Sequence, residues 1–113
     1  EFNLLTLDHT MVAEMYREGL ITYDEAFSHP LRNYLQNVLG MKDGFKIDYQ
    51  QVNIDFGSIL ILCSDGLNSM LKDEEIKNIV SKYQNPEKIT DRLIEAAKIR
   101  GGYDNITVIT VKV

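Results

Sequence analysis

Asp65 and Asp104 are the two residues of this chain best placed to do chemistry together. Asp65 stands in Ser64-Asp65-Gly66, at the end of the apolar run Ile59-Leu60-Ile61-Leu62-Cys63. Asp104 stands in Gly101-Gly102-Tyr103-Asp104-Asn105, directly before Ile106-Thr107-Val108-Ile109-Thr110-Val111. Each carboxylate thus lies at the end of a strand-like segment, and two strands that pair can bring such ends together. Adjacent carboxylates repel and need a cation between them. Hard oxygen ligands favour Mg²⁺ or Mn²⁺. The pattern reads as half of a metal site.

The other reactive side chains read more simply. A nucleophilic Cys63 of the tyrosine-phosphatase kind needs an Arg six positions on, where this chain has Ser69. A small buried hydrophobe in an apolar strand is the better reading. Histidine is a common acid–base catalyst, but His9 sits at a helix start and His29 before Pro30, so structural roles are expected. Arg32 is expected to pair with a carboxylate or a backbone carbonyl, and Asp8 to cap a helix. Met11, Met15, Met41 and Met70 read as core or gap-filling residues.

Strand-like segments are expected at residues 2–7, 47–49, 52–56, 59–63 and 106–113. The last carries β-branched residues on both faces, as a strand covered on both sides does. Helices are expected from Thr10 to Glu18, from a capping box at Thr22 and Glu25, and over 31–39. Two more are expected after Asp73 as cap and after Asn85-Pro86, the last ending at Gly101-Gly102. That makes a mixed chain of about four or five strands and five helices. No linker or repeat divides it.

The 113 residues carry a net charge of −5, which argues against nucleic acid or an anionic membrane as partner. No apolar run approaches the roughly 20 residues of a membrane span. With 44% hydrophobic and 26% charged residues the chain reads as folded, not disordered. One cysteine makes no internal disulfide, so a reducing, cytoplasmic setting is expected. The chain starts at Glu1 with no leader-like pattern and reads as a piece of something longer.

Taken in order, these segments resemble the protein phosphatase 2C family, the metal-dependent serine/threonine phosphatases. Ser64-Asp65-Gly66-Leu67 and Gly101-Gly102-Tyr103-Asp104-Asn105-Ile106-Thr107-Val108 are similar to that family's last two metal motifs. Thr6-Leu7-Asp8-His9, Gly19-Leu20-Ile21-Thr22 with Glu25-Ala26, and His29-Pro30-Leu31-Arg32-Asn33 with Leu39-Gly40 are similar to its bacterial branch. The resemblance covers nearly the whole chain.

It implies an α+β fold: part of an antiparallel β-sandwich flanked by helices, in α-β-β-α layers. It implies two Mn²⁺ or Mg²⁺ ions, with a third, weaker one within reach of Asp65, and hydrolysis of phosphoserine or phosphothreonine by a metal-activated water. Asp65 and Asp104 would be metal ligands, with no catalytic residue beyond them. Gly66 would leave backbone room beside the metal, and Asn105 would support its neighbouring ligand. Residues 1–113 would be the C-terminal part of a single catalytic domain, with a mobile flap over about 19–44.

The family's first-half motifs, which include the Asp that bridges both metals, have no match in these residues. The chain alone is therefore expected to be inactive. Its partners would be phosphorylated proteins and the missing N-terminal half, with self-association where that half is absent. Two rivals stand: a non-catalytic interaction module that kept the fold, and a phosphatase of the sporulation-regulator type with one dedicated substrate. The flap-like block argues for the general bacterial branch over the latter.

Overall fold

Capping chemistry decides where the helices begin. The structure is a computed structural model describing residues 1–113. It divides into two compact units, Glu1–Gln51 and Val52–Val113.

In the first unit, α1 (Met11–Arg17) starts where Thr10 Oγ1 accepts the Ala13 N–H at 3.0 Å, and it buries Val12. The next helix, α2 (Tyr23–Ser28), opens on the expected capping box. The Thr22 N–H donates to Glu25 Oε2 at 2.7 Å and the Glu25 N–H donates to Thr22 Oγ1 at 3.2 Å. The Thr22 backbone N–H on the carboxylate, and after it the Thr22 side chain, hold the Glu25 carboxyl below its ordinary range. Asp8 does not cap α1; its carbonyl accepts from Arg17 Nη1 at 3.0 Å.

The helix expected over 31–39 is absent, because its backbone groups are bonded elsewhere. The Tyr34 N–H closes a turn on Leu31 O, the Met11 N–H donates to Tyr34 O, and Leu35 forms a bridge with Thr10. Asn37 is taken up by the Lys46 backbone, donating to Lys46 O and accepting the Lys46 N–H. The expected strands at 2–7 and 47–49 are also absent. Alternation marks a face that could be buried, but a strand needs a neighbour to accept its ladder bonds, and these segments have none in the chain.

The second unit carries the sheet. β1 (Ile59–Cys63) and β2 (Val108–Lys112) pair antiparallel, from Ile59 opposite Lys112 to Cys63 opposite Val108. Between them run α3 (Asp65–Asn68), α4 (Asp73–Lys82) and α5 (Pro86–Ile99). Asp73 is the first residue of α4 and not its cap; Lys72 holds that position, and its N–H donates to Glu75 Oε2 at 2.9 Å. At α5, Asn85 Oδ1 accepts the Lys88 N–H and Pro86 fills the first turn, as the sequence predicts. Residues 52–56 form no strand.

The helices place Leu67, Leu71, Ile76, Ile89, Leu93 and Ala97 in one core, against which Ile59, Ile61 and Val108 pack from the sheet. Each fully buried Leu or Ile there contributes about 1.5–3 kcal/mol. Only that face of the sheet is covered. On the other, Leu62 and Ile109 are 54% and 55% exposed, so β2 is not the doubly covered strand expected. Cys63, expected to be buried, is exposed at the end of β1.

Candidate metal centre

Antiparallel register puts the C-terminal end of β1 beside the N-terminal end of β2. Cys63 is opposite Val108, and the pairing continues one step further, the Ser64 N–H donating to Thr107 O at 3.0 Å. Asp65 follows at the first position of α3, and Asp104 precedes by two residues the Ile106 that packs against the core. The structure therefore brings the two motif segments to one end of the sheet, and both Asp65 and Asp104 are exposed there.

The junction is tightly built. The Ser64 carbonyl is turned into α3, where it accepts the Leu67 N–H at 3.1 Å. The Ser64 hydroxyl accepts the Thr107 N–H at 3.0 Å and lies 3.2 Å from Asn105 O, to which it donates. Gly66 is buried against the same carbonyl: a Cβ on Gly66 would stand 2.0 Å from Asn105 O. The room that Gly66 leaves is thus occupied by the chain itself, at the loop that carries Asp104.

That loop is held at its other end by the exit from α5. Gly101 and Gly102 take φ of 130° and 54°, in the left-handed region open to glycine. The Tyr103 ring folds back over Gly101, its Cε2 lying 2.6 Å from where a Cβ would be. Asp104 Oδ1 accepts the Asn105 N–H at 2.7 Å. Asn105 therefore meets its neighbour through its backbone N–H, and meets Ser64 through its carbonyl.

Oxygen is the only donor type the two residues offer, which suits a hard divalent cation. No group of three or more His, Cys, Asp or Glu side chains is gathered in a way that could hold a metal ion. The donor set fits Mg²⁺ or Mn²⁺ as a partial set of ligands. His9, in the other unit, is spent on structure: its Nε2 is 2.5 Å from Asp48 Oδ2 and its Nδ1 is 2.8 Å from Asn37 Nδ2. Arg32 Nη1 donates to His29 O at 3.5 Å, the backbone carbonyl partner expected of it.

Ser64 and Thr107 are the residues whose part the sequence reading missed. A Ser before a helix reads as an N-cap, yet Ser64 makes no capping bond within α3. A hydroxyl at a strand-to-helix junction was the available signal; its partner 43 positions away was not.

No protein-family model matches the sequence. Individual proteins do. Protein phosphatase PhpP of Streptococcus pneumoniae is 38% identical over 111 residues, which is 98% of this chain and 45% of PhpP. Serine/threonine phosphatase stp of Listeria welshimeri is 36% identical over 108 residues, 96% of this chain and 43% of that protein. Among solved structures, the serine/threonine phosphatase Stp1 from Staphylococcus aureus superposes with a TM-score of 0.90 at 34% identity, covering 98% of this chain and 44% of Stp1. The S. agalactiae serine/threonine phosphatase gives a TM-score of 0.87 at 35% identity over 100% of this chain and 47% of that one. The chain spans somewhat less than half the length of the relatives it matches. By sequence and by fold, it is similar to the C-terminal half of bacterial serine/threonine phosphatases, and among its relatives is a putative protein phosphatase 2C-type of Streptococcus pyogenes.

Proposed function

We propose that Asp65 and Asp104 are ligands of one divalent cation, Mn²⁺ or Mg²⁺, in a metal-dependent protein phosphatase that hydrolyses phosphoserine and phosphothreonine. The observation that carries this reading is the convergence of the two motif segments at one end of the β1–β2 pair. The bound cations would supply an activated water and offset charge on the phosphoryl oxygens. This chain's residues would bind and orient. The two carboxylates would supply anionic oxygen, Gly66 lets the Asn105 carbonyl close on the start of α3, and the Gly101-Gly102 turn leads into the loop that carries Asp104.

Two carboxylates are half of a two-metal site. The remaining ligands, and the group that bridges the metals, would come from an N-terminal half such as the matched relatives possess. Residues 1–113 alone would accordingly be inactive toward phosphoproteins. Residues 19–44 would act as the flap, and the cytoplasm would be the setting. A non-catalytic module on the same fold is the second reading, favoured by the absence of any third acidic or imidazole ligand near the pair.

The test is Mn²⁺ titration of the complete domain, read by calorimetry. Asp65→Asn and Asp104→Asn should each weaken binding by more than the roughly 10–100-fold typical of losing a group that only orients a ligand. Turnover of a phosphothreonine peptide should fall in parallel. Wild-type affinity and turnover in the double variant would overturn the assignment; a metal-free, inactive wild-type domain would favour the module.

A further inference from the structure

We infer that Ser64 is a positioning residue: its hydroxyl takes over a ladder bond that its own carbonyl gives up, and so fixes Asp104 relative to Asp65. The inference rests on the metal reading of those two aspartates.

A hydrogen-bonded antiparallel pair exchanges two backbone bonds. At Ser64 and Thr107 only one of them is present, from the Ser64 N–H to Thr107 O at 3.0 Å. The reciprocal bond would run from the Thr107 N–H to Ser64 O. That carbonyl is already engaged by the Leu67 N–H at 3.1 Å, because the chain turns into α3 at the next residue. A strand that becomes a helix at this point would leave the Thr107 N–H without its acceptor. Ser64 Oγ supplies one at 3.0 Å. With its own proton it also binds Asn105 O at 3.2 Å, so one hydroxyl holds both residues that frame Ile106.

The arrangement solves a geometric conflict set by the chemistry. Asp65 must leave the strand to become the first residue of a helix, and Asp104 must stay registered to that strand through Asn105 and Thr107. A backbone carbonyl cannot serve both the helix and the ladder in these directions. A side-chain oxygen carried on Cβ can. Ser64 touches neither a cation nor a phosphate in this account; it acts through the two segments it joins.

The experiment uses the complete domain with Ser64→Ala, Ser64→Thr, Asp65→Asn and Asp104→Asn, Mn²⁺ as the probe, and amide hydrogen exchange of the metal-free protein. Ser64→Ala should weaken Mn²⁺ binding about 10–100-fold, the range for groups that orient a metal ligand. It should also speed exchange at the Thr107 amide while amides in α5 keep their protection. Ser64→Thr, which keeps the hydroxyl, should restore both. If the two aspartate variants lose Mn²⁺ and Ser64→Ala binds it as wild type does, the positioning role is overturned and the metal site stands. If the aspartate variants bind like wild type, the metal reading falls and this inference with it. Loss of α5 protection in Ser64→Ala would mark Ser64 as a fold residue and would also overturn the role.

Discussion

Gly66 shows how narrowly a single backbone position can be specified. Its missing Cβ is replaced by the Asn105 carbonyl, 2.0 Å from where that atom would be. The carbonyl belongs to backbone already bonded to Ser64, so it cannot swing aside as a side-chain tip could. Gly66→Ala should therefore push β1–α3 away from the 104–107 loop. We expect a loss of about 1–3 kcal/mol in folding stability, the usual cost of overpacking, with a larger proportional loss of Mn²⁺ affinity, because the displaced segments carry the two carboxylates. Chemical denaturation alongside Mn²⁺ titration checks this. Unchanged stability would mean that the loop yields freely. The candidate ligands themselves were legible in the sequence, since an Asp near each strand end needs only the strands to pair. What Gly66 is for was not legible. Its neighbour in space is 39 positions away in sequence, from residue 66 to residue 105, and only the pairing register brings them together.

Helix starts with a local cause were largely legible, and strands were legible where the chain supplies a partner, as β1 and β2 do for each other. Thr10, the Thr22–Glu25 pair and Asn85-Pro86 start helices through bonds spanning three residues, so their effect is written in short stretches of chain. The segments at 2–7, 47–49 and 52–56 have strand-like alternation, but a ladder needs a second strand and these residues meet none. The helical spacing over 31–39 lost to turns, to the Thr10–Leu35 bridge and to Asn37 bonding with Lys46. The same contrast predicts dynamics. Residues 19–44 contain one short helix and then turns, with few buried apolar side chains, whereas β1 is bonded along its length to β2 and backed by the core. Amides of 19–44 should exchange faster than those of Ile59–Cys63. Equal protection would show that the proposed flap is a rigid packing element.

At the scale of the whole molecule, the sheet has two strands and one covered face. Leu62, Ile109 and Val111 share the other face, 54%, 55% and 41% exposed, and Leu39, Ile47 and Tyr49 are more exposed still in the first unit. Soluble monomers seldom leave such apolar surface uncovered. Residues 1–113 on their own should sediment as an associated species, and Ile109→Lys with Leu62→Lys should shift them toward monomer. A monomeric, cooperatively folded wild-type chain would show that this surface needs no cover. The Ser64–Asn105 contact carries a different consequence, one of timing. Its partners are 41 positions apart, and the chain between them holds three helices. Closing so long a loop costs entropy that only the finished core repays. The junction should therefore close among the last events of folding, and a cation that requires it would bind a finished unit and never template an unfinished one.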